Sequence, residues 1–179
     1  MLVNMRHRHL LAVAFIAAIA SSCAQEDLDS SDSNKSGTTE PGGSTGATDG
    51  DAIANLRAGI TELEGRTEHT ASRVVVQHIL IGFKGSVSGK PVTRTRDEAE
   101  ALAAQLFSEI QNGADFDALV KKHTDDSYPG RYPMTAAGRR RMVRGFGDVG
   151  WRLEVGKVGV APHHDSKSPF GWHLIKRVE

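Results

Sequence analysis

The stretch VVVQHILIGF, residues 74–83, decides how the rest of the chain is read. Its β-branched and apolar residues, ended by Gly82, describe a strand buried in a core. A histidine, His78, stands in its middle. A second run of the same kind, FGWHLIKRV at 170–178, carries His173. Side chains alternate faces along a strand, so His78 shares a face with Val76 and Leu80, and His173 with Gly171 and Ile175. Each imidazole is therefore expected among aliphatic neighbours. Buried ring nitrogens need partners, and the nearest are each other or adjacent hydroxyls. Two readings follow: a polar pair inside a core, or the polar floor of a binding pocket.

Between these runs lie helices. TRDEAEALAAQLFSEIQNG, 95–113, opens with Thr95 and Glu98 at capping-box spacing and closes at Gly113. Leu102, Leu106 and Ile110 form one apolar stripe, flanked by Ala99 and Ala103. ADFDALVKKH, 114–123, is a second short helix with Phe116, Leu119 and Val120 inward. TDDSYPGRYP, 124–133, reads as turns. GDVGWRLEVG, 147–156, reads as a third helix closing at Gly156, and KVGVAP, 157–162, as a short strand. The predicted fold class is α+β, with helices packed around a small antiparallel sheet of about four strands.

The start of the chain is organised differently. Arg6 and Arg8 precede an apolar run from Leu10 to Ala20, too short to span a bilayer comfortably and proportioned like a signal-peptide core. Small residues, Ala20-Ser21-Ser22, lead to Cys23, the only cysteine of the 179 residues. This resembles a bacterial lipobox, with Ala20 where leucine is usual. The resemblance implies lipidation at Cys23 and a membrane anchor. Ala24, where an Asp would favour the inner membrane, points to the outer membrane facing the periplasm.

Residues 24–51 hold seven acids, one base and almost nothing apolar, so they read as a disordered tether. Residues 73–179 carry 17 Lys and Arg against 12 Asp and Glu. The expected divisions are a signal peptide at 1–22, a tether at 23–51, a short amphipathic helix and linker at 52–72, and a folded domain at 73–179. Ile53, Leu56, Ile60 and Leu63 mark that helix from about residue 51, although Gly59 weakens it.

Taken together, QHILIGF, the capped helix, NGADFDALVKKHTDDS, MVRGFGDVGWRLEVGKVG and FGWHLIK resemble the parvulin (PpiC-like) family of peptidyl-prolyl cis-trans isomerases, or rotamases. The resemblance covers nearly all of 74–179. It implies a parvulin-like variant of the FKBP-like superfold and a protein-folding activity on unfolded or proline-containing polypeptides. It places His78 and His173 on the family's paired histidines. Asp126 falls on the acidic or cysteine position beside them, with Asp125 one residue away and the alternative for that place. Ser168 falls where a threonine hydroxyl often sits. Met142 and Phe146 fall on the apolar proline pocket, and Met134 on a pocket leucine. The segment PGRYPMTAA, 129–137, departs from the family's Gly-Gly-Asp-Leu-Gly-like stretch, with Gly130 its remnant.

No cofactor, metal, nucleotide or nucleic acid is implied. In GFKGSVSGKP, 82–91, Gly85 stands one residue too close to Gly89-Lys90 for a phosphate loop, and Pro91 follows. His163, His164 and Asp165, or His123 with Asp125, lack metal-site spacing. Arg139, Arg140, Arg141 and Arg144 either steer acidic clients or form solvated surface. The rival to an enzyme is a chaperone or peptide-binding module on the same fold.

Overall fold

The structure, a computed structural model, describes residues 48–179. The expected signal peptide, Cys23 and the tether as far as residue 47 lie outside the described residues. The elements in chain order are α1 (Asp49–Glu64), β1 (Arg73–Ile81), α2 (Arg96–Gln111), α3 (Phe116–His123), β2 (Arg131–Thr135), a 3-10 turn (Gly138–Arg141), α4 (Arg144–Arg152), β3 (Val158–Ala161) and β4 (Trp172–Arg177). The α+β reading, with four antiparallel strands and helices on both faces, is what the structure contains.

β1 is the central strand on which the others are hung. It pairs antiparallel with β2 on one side and β4 on the other, and β3 lies beyond β4. Every β1 residue except Arg73 is buried. Covered faces on both sides explain why the run shows no apolar–polar alternation. On one face Ile79, Ile81, Val160, Trp172 and Leu174 pack against Ala103, Leu106 and Phe107 of α2 and Phe116 and Val120 of α3. On the other, Val74, Val76, Ala161 and Ile175 pack against Met134 of β2, Phe146, Val149 and Trp151 of α4, and Leu153.

α2 begins as its sequence dictates. Thr95 Oγ1 accepts from the Glu98 N–H, and the Glu98 carboxylate accepts from the Thr95 N–H. The same reciprocal box operates at α1 between Thr48 and Asp51. That cap starts α1 at Asp49, so the last residues assigned to the tether, 49–51, are helical. Leu56 of α1 joins the first core cluster and Leu63 the second, with Leu63 set against Gly159 of the edge strand β3. Gly59 costs helix propensity but admits the Phe107 ring, which lies 3.0 Å from where a Cβ would stand.

Two other expectations are corrected. The third helix runs over Arg144–Arg152, three residues earlier than 147 and without reaching Gly156. Leu153 leaves the helix to bury its side chain to 1% exposure, and the chain turns at Gly156 with φ +83°. The segment read as turns, 124–133, ends in the first three residues of β2. Pro133 argues against a central strand, but β2 is an edge strand, where a missing N–H is tolerated.

Leu56→Ala tests whether α1 is part of the folded unit. The residue is fully buried, so the substitution should cost about 2–5 kcal/mol in urea unfolding of the full chain. A loss below about 0.5 kcal/mol would show that α1 only rests on the surface.

Candidate active site

β1 and β4 bring the two histidines together. In their register His78 lies opposite Ile175 and His173 opposite Leu80, so the histidines are diagonal neighbours on one face. The rings stack at 12° with their Nδ1 atoms 3.2 Å apart, and each residue is 3% exposed. One proton lies between those nitrogens. His78 Nε2 lies 2.9 Å from Asp126 Oδ2 and, since a carboxylate only accepts, donates to it. The Tyr132 hydroxyl donates to the same oxygen at 2.6 Å. A continuous chain therefore runs Tyr132–Asp126–His78–His173. Its far end, His173 Nε2, is buried with no hydrogen-bond partner among the described residues.

Asp126 is placed by its neighbours in sequence. Thr124 Oγ1 accepts from the Leu80 N–H, and the Asp125 N–H donates to Leu80 O at 2.8 Å. The Asp125 carboxylate accepts from the Gly82 N–H at 2.8 Å and pairs with Arg94. These bonds staple residues 124–125 onto β1 and leave Asp126 turned toward His78. Gly130 completes the fixing. Its carbonyl accepts from the His78 N–H at 3.0 Å, its φ is +64°, and a Cβ there would meet His78 O at 2.7 Å.

Over this network opens a cavity of about 340 Å³. Its apolar walls are Leu80, Val87, Met142, Val143, Phe146 and Phe170, its polar floor is His78, Asp126, Tyr132 and His173, and Ser88 also lines it. Phe146 from α4 sets its ring edge-on to His78 at 5.0 Å and to His173 at 5.7 Å. An apolar chamber with a few convergent polar groups is the usual form of a small-ligand site.

A family model described as PPIC-type PPIASE domain matches residues 58–179. The chain belongs to this family. It is 28% identical over 128 residues to "Foldase protein PrsA 4" of Bacillus cereus, an alignment covering 69% of this chain and 38% of that one. It is 31% identical over 117 residues to "Chaperone SurA" of Chromohalobacter salexigens, covering 63% and 24%. This chain thus spans well under half the length of either relative. Among solved structures, the "Peptidyl-prolyl isomerase ESS1 from Candida albicans" superposes with a TM-score of 0.53 at 20% identity, over 70% of this chain and 74% of that one. That likeness concerns the fold.

In this PPIC-type domain, five of the sequence-predicted site residues meet at one place: His78, Asp126, His173, Met142 and Phe146. Two do not. Met134 lies in the core at 2% exposure, against Val76 and Gly150, and does not line the cavity. β2 register decides this, because Met134 stands opposite Val74 while Tyr132 stands opposite Val76, nearer the histidines. Ser168 is 1% exposed behind Gly145 at the start of α4, and its Oγ bonds to neither histidine. Tyr132 is the residue that the sequence reading missed. Its signal was its place two residues before Met134, on the same strand face, in a segment assigned to turns. Among the described residues no group of three His, Cys, Asp or Glu has metal-site geometry.

The electrostatics of the floor follow from its bonds. The hydrogen bond from His78, then those from Tyr132 and the Ser127 N–H, hold Asp126 well below the usual carboxylate range against the opposing effect of burial. Burial, then the bond to Asp126, pushes Tyr132 up to about 12. Burial, then the neighbouring His78, pushes His173 down to about 3. The floor therefore offers one fixed carboxylate held by three donors, beside a neutral imidazole.

These shifts set a pH dependence. Unfolded histidine titrates near pH ~6.5, so between there and about 3 the unfolded chain takes up a proton that buried His173 refuses. Stability should fall as pH drops through that window. Asp126 adds a further loss below about pH 4, where the unfolded carboxylate protonates. Urea unfolding at pH 7.5, 6 and 4.5 should show the decline, flattened in His173→Gln. An equal slope in the variant would mean that His173 is not the neutral buried group described.

Proposed function

We propose that the domain catalyses cis–trans rotation about Xaa-Pro bonds in polypeptide clients and so assists their folding. The observation that carries this reading is the apolar cavity closed below by the Tyr132–Asp126–His78–His173 chain. Rotation faces a barrier of about 18–20 kcal/mol because the twisted amide loses its conjugation. Bond breaking is not required. The site has to bind the twisted amide better than the planar one, and each ~1.4 kcal/mol of preference is worth about tenfold in rate. Met142 and Phe146 would hold the proline ring. Asp126 would shape the field at the amide while it loses conjugation, with Tyr132 and His78 fixing the carboxylate and His173 fixing His78. This chemistry asks for no metal, nucleotide or nucleic acid.

NMR exchange spectroscopy on short Xaa-Pro peptides with the full chain tests the proposal. Catalysed exchange should fall at least tenfold in Asp126→Ala and in Phe146→Ala. The relatives named as foldase and chaperone favour a second reading, a peptide-binding module with weak catalysis. Peptide binding without faster exchange in any peptide would replace the first reading by the second.

The export signals support a place for this activity. We propose that the chain is exported, lipidated at Cys23 and held by the acidic tether on a bacterial outer membrane, facing the periplasm. Its clients would then be envelope and secreted polypeptides. Cys23→Ser should abolish incorporation of a labelled fatty acid and release the protein from the membrane fraction. Retention of the label in that variant would overturn the anchor.

A further inference from the structure

A second cavity, also of about 340 Å³, adjoins the first. Met142 lines both, so the two cavities share this residue. The second cavity is bounded by the 3-10 turn and the start of α4, and its charged residues are Arg139, Arg140, Arg144 and Asp148. Three of these are already engaged, to different degrees. Arg139 holds Glu68 through two nitrogens at 2.8 and 2.9 Å, reaches Asp148 at 3.3 Å and lies 5.0 Å over the Trp151 ring. Arg144 touches Asp148 only at 3.8 Å, with its side chain 75% exposed. Arg140 is exposed and has no ion-pair partner among the described residues. Asp148, the one carboxylate lining the cavity, is therefore satisfied chiefly by Arg139, and Arg140 and Arg144 remain to meet something from outside.

We propose that Arg140 and Arg144 form an acid-binding subsite beside the proline cavity, so that the preferred clients carry an Asp or Glu within two residues of the proline. The inference rests on the isomerase reading for its substrate and adds that substrate's class. Guanidinium groups suit a carboxylate because their forked donors match its two oxygens. The spacing suits a peptide. With a proline ring against Met142 on one side, an extended chain advances about 3.3–3.6 Å per residue, so a side chain one or two residues away reaches the other side of the same methionine. Arg139 has a separate task. Its pairing with Glu68 and Trp151 fixes the turn that presents Arg140.

The test is a set of peptides identical except at one position, scanned from two residues before the proline to two after, carrying Glu, Gln or Lys. Exchange catalysed by the full chain is measured at low ionic strength. At one position Glu should exceed Gln by about threefold or more in kcat/KM, the range of an exposed ion pair, and Lys should fall below Gln. The Glu:Gln ratio should approach one in Arg140→Gln/Arg144→Gln and in ~0.5 M salt, where the Debye length is only a few ångströms. No Glu preference at any position, or a preference that survives in the double variant, would overturn the subsite. Exchange of the Gln peptides by the parent protein reads the isomerase separately. If no peptide is turned over, the Glu:Gln ratio of binding affinities, from NMR shift titrations of parent and double variant, decides the subsite by itself.

Discussion

The contact between His78 and His173 across β1 and β4 is the constraint on which the rest of the site depends. Two imidazoles buried on one sheet face, with Nδ1 atoms 3.2 Å apart, must share a proton and find partners for their outer nitrogens. His78 finds Asp126. That requires a carboxylate at a fixed height above the strand, and the fold supplies it by binding residues 124–125 to the β1 backbone. An unsatisfied buried polar group costs about 1–3 kcal/mol, so the pairing and the stapled segment are mutually dependent. His173 Nε2, at the far end of the network, is buried with no hydrogen-bond partner among the described residues.

The sheet and α4 divide the remaining work. The strand register aims both histidines at α4, and α4 answers with the Phe146 ring edge-on to each. Three glycines lie within α4, at 145, 147 and 150, which weaken it as a helix but permit close approach. A Cβ at Gly150 would stand 3.0 Å from Met134 and 3.2 Å from Val76. The helix therefore forms through its packing more than through its own propensity. Its nearness to the sheet sets the Phe146 ring against both histidines, and the turn before it carries Arg140, which lines the neighbouring cavity and has no ion-pair partner among the described residues.

Much of this was legible in the chain. The capping box at Thr95 and Glu98, the apolar run of β1 and the histidines inside two strands are local or periodic signals, and each appears in the structure where the sequence sets it. What went unread depended on partners far away in sequence. β2 contains a proline and only five residues, and it is a strand because β1 offers an edge to pair with. α4 stops at Arg152 because Leu153 has a core to enter. Tyr132 went unread as a site residue for the same reason, since its role depends on which β1 residue it faces.

By itself the sequence determined the types of most elements, the strand faces that carry His78 and His173, the cap of α2 and the membership of a family. These follow from periodicity and backbone hydrogen bonding, which act over a few residues. Tertiary structure alone decided between neighbours of the same type. Asp126 faces His78 while Asp125 holds Gly82 and Arg94; Tyr132 enters the cavity while Met134 stays in the core; Arg139 is paired while Arg140 has no ion-pair partner among the described residues. In each pair the residues have similar local prospects. Strand register and the crossing of α4 over the sheet separate them, and both are set by contacts between segments tens of residues apart.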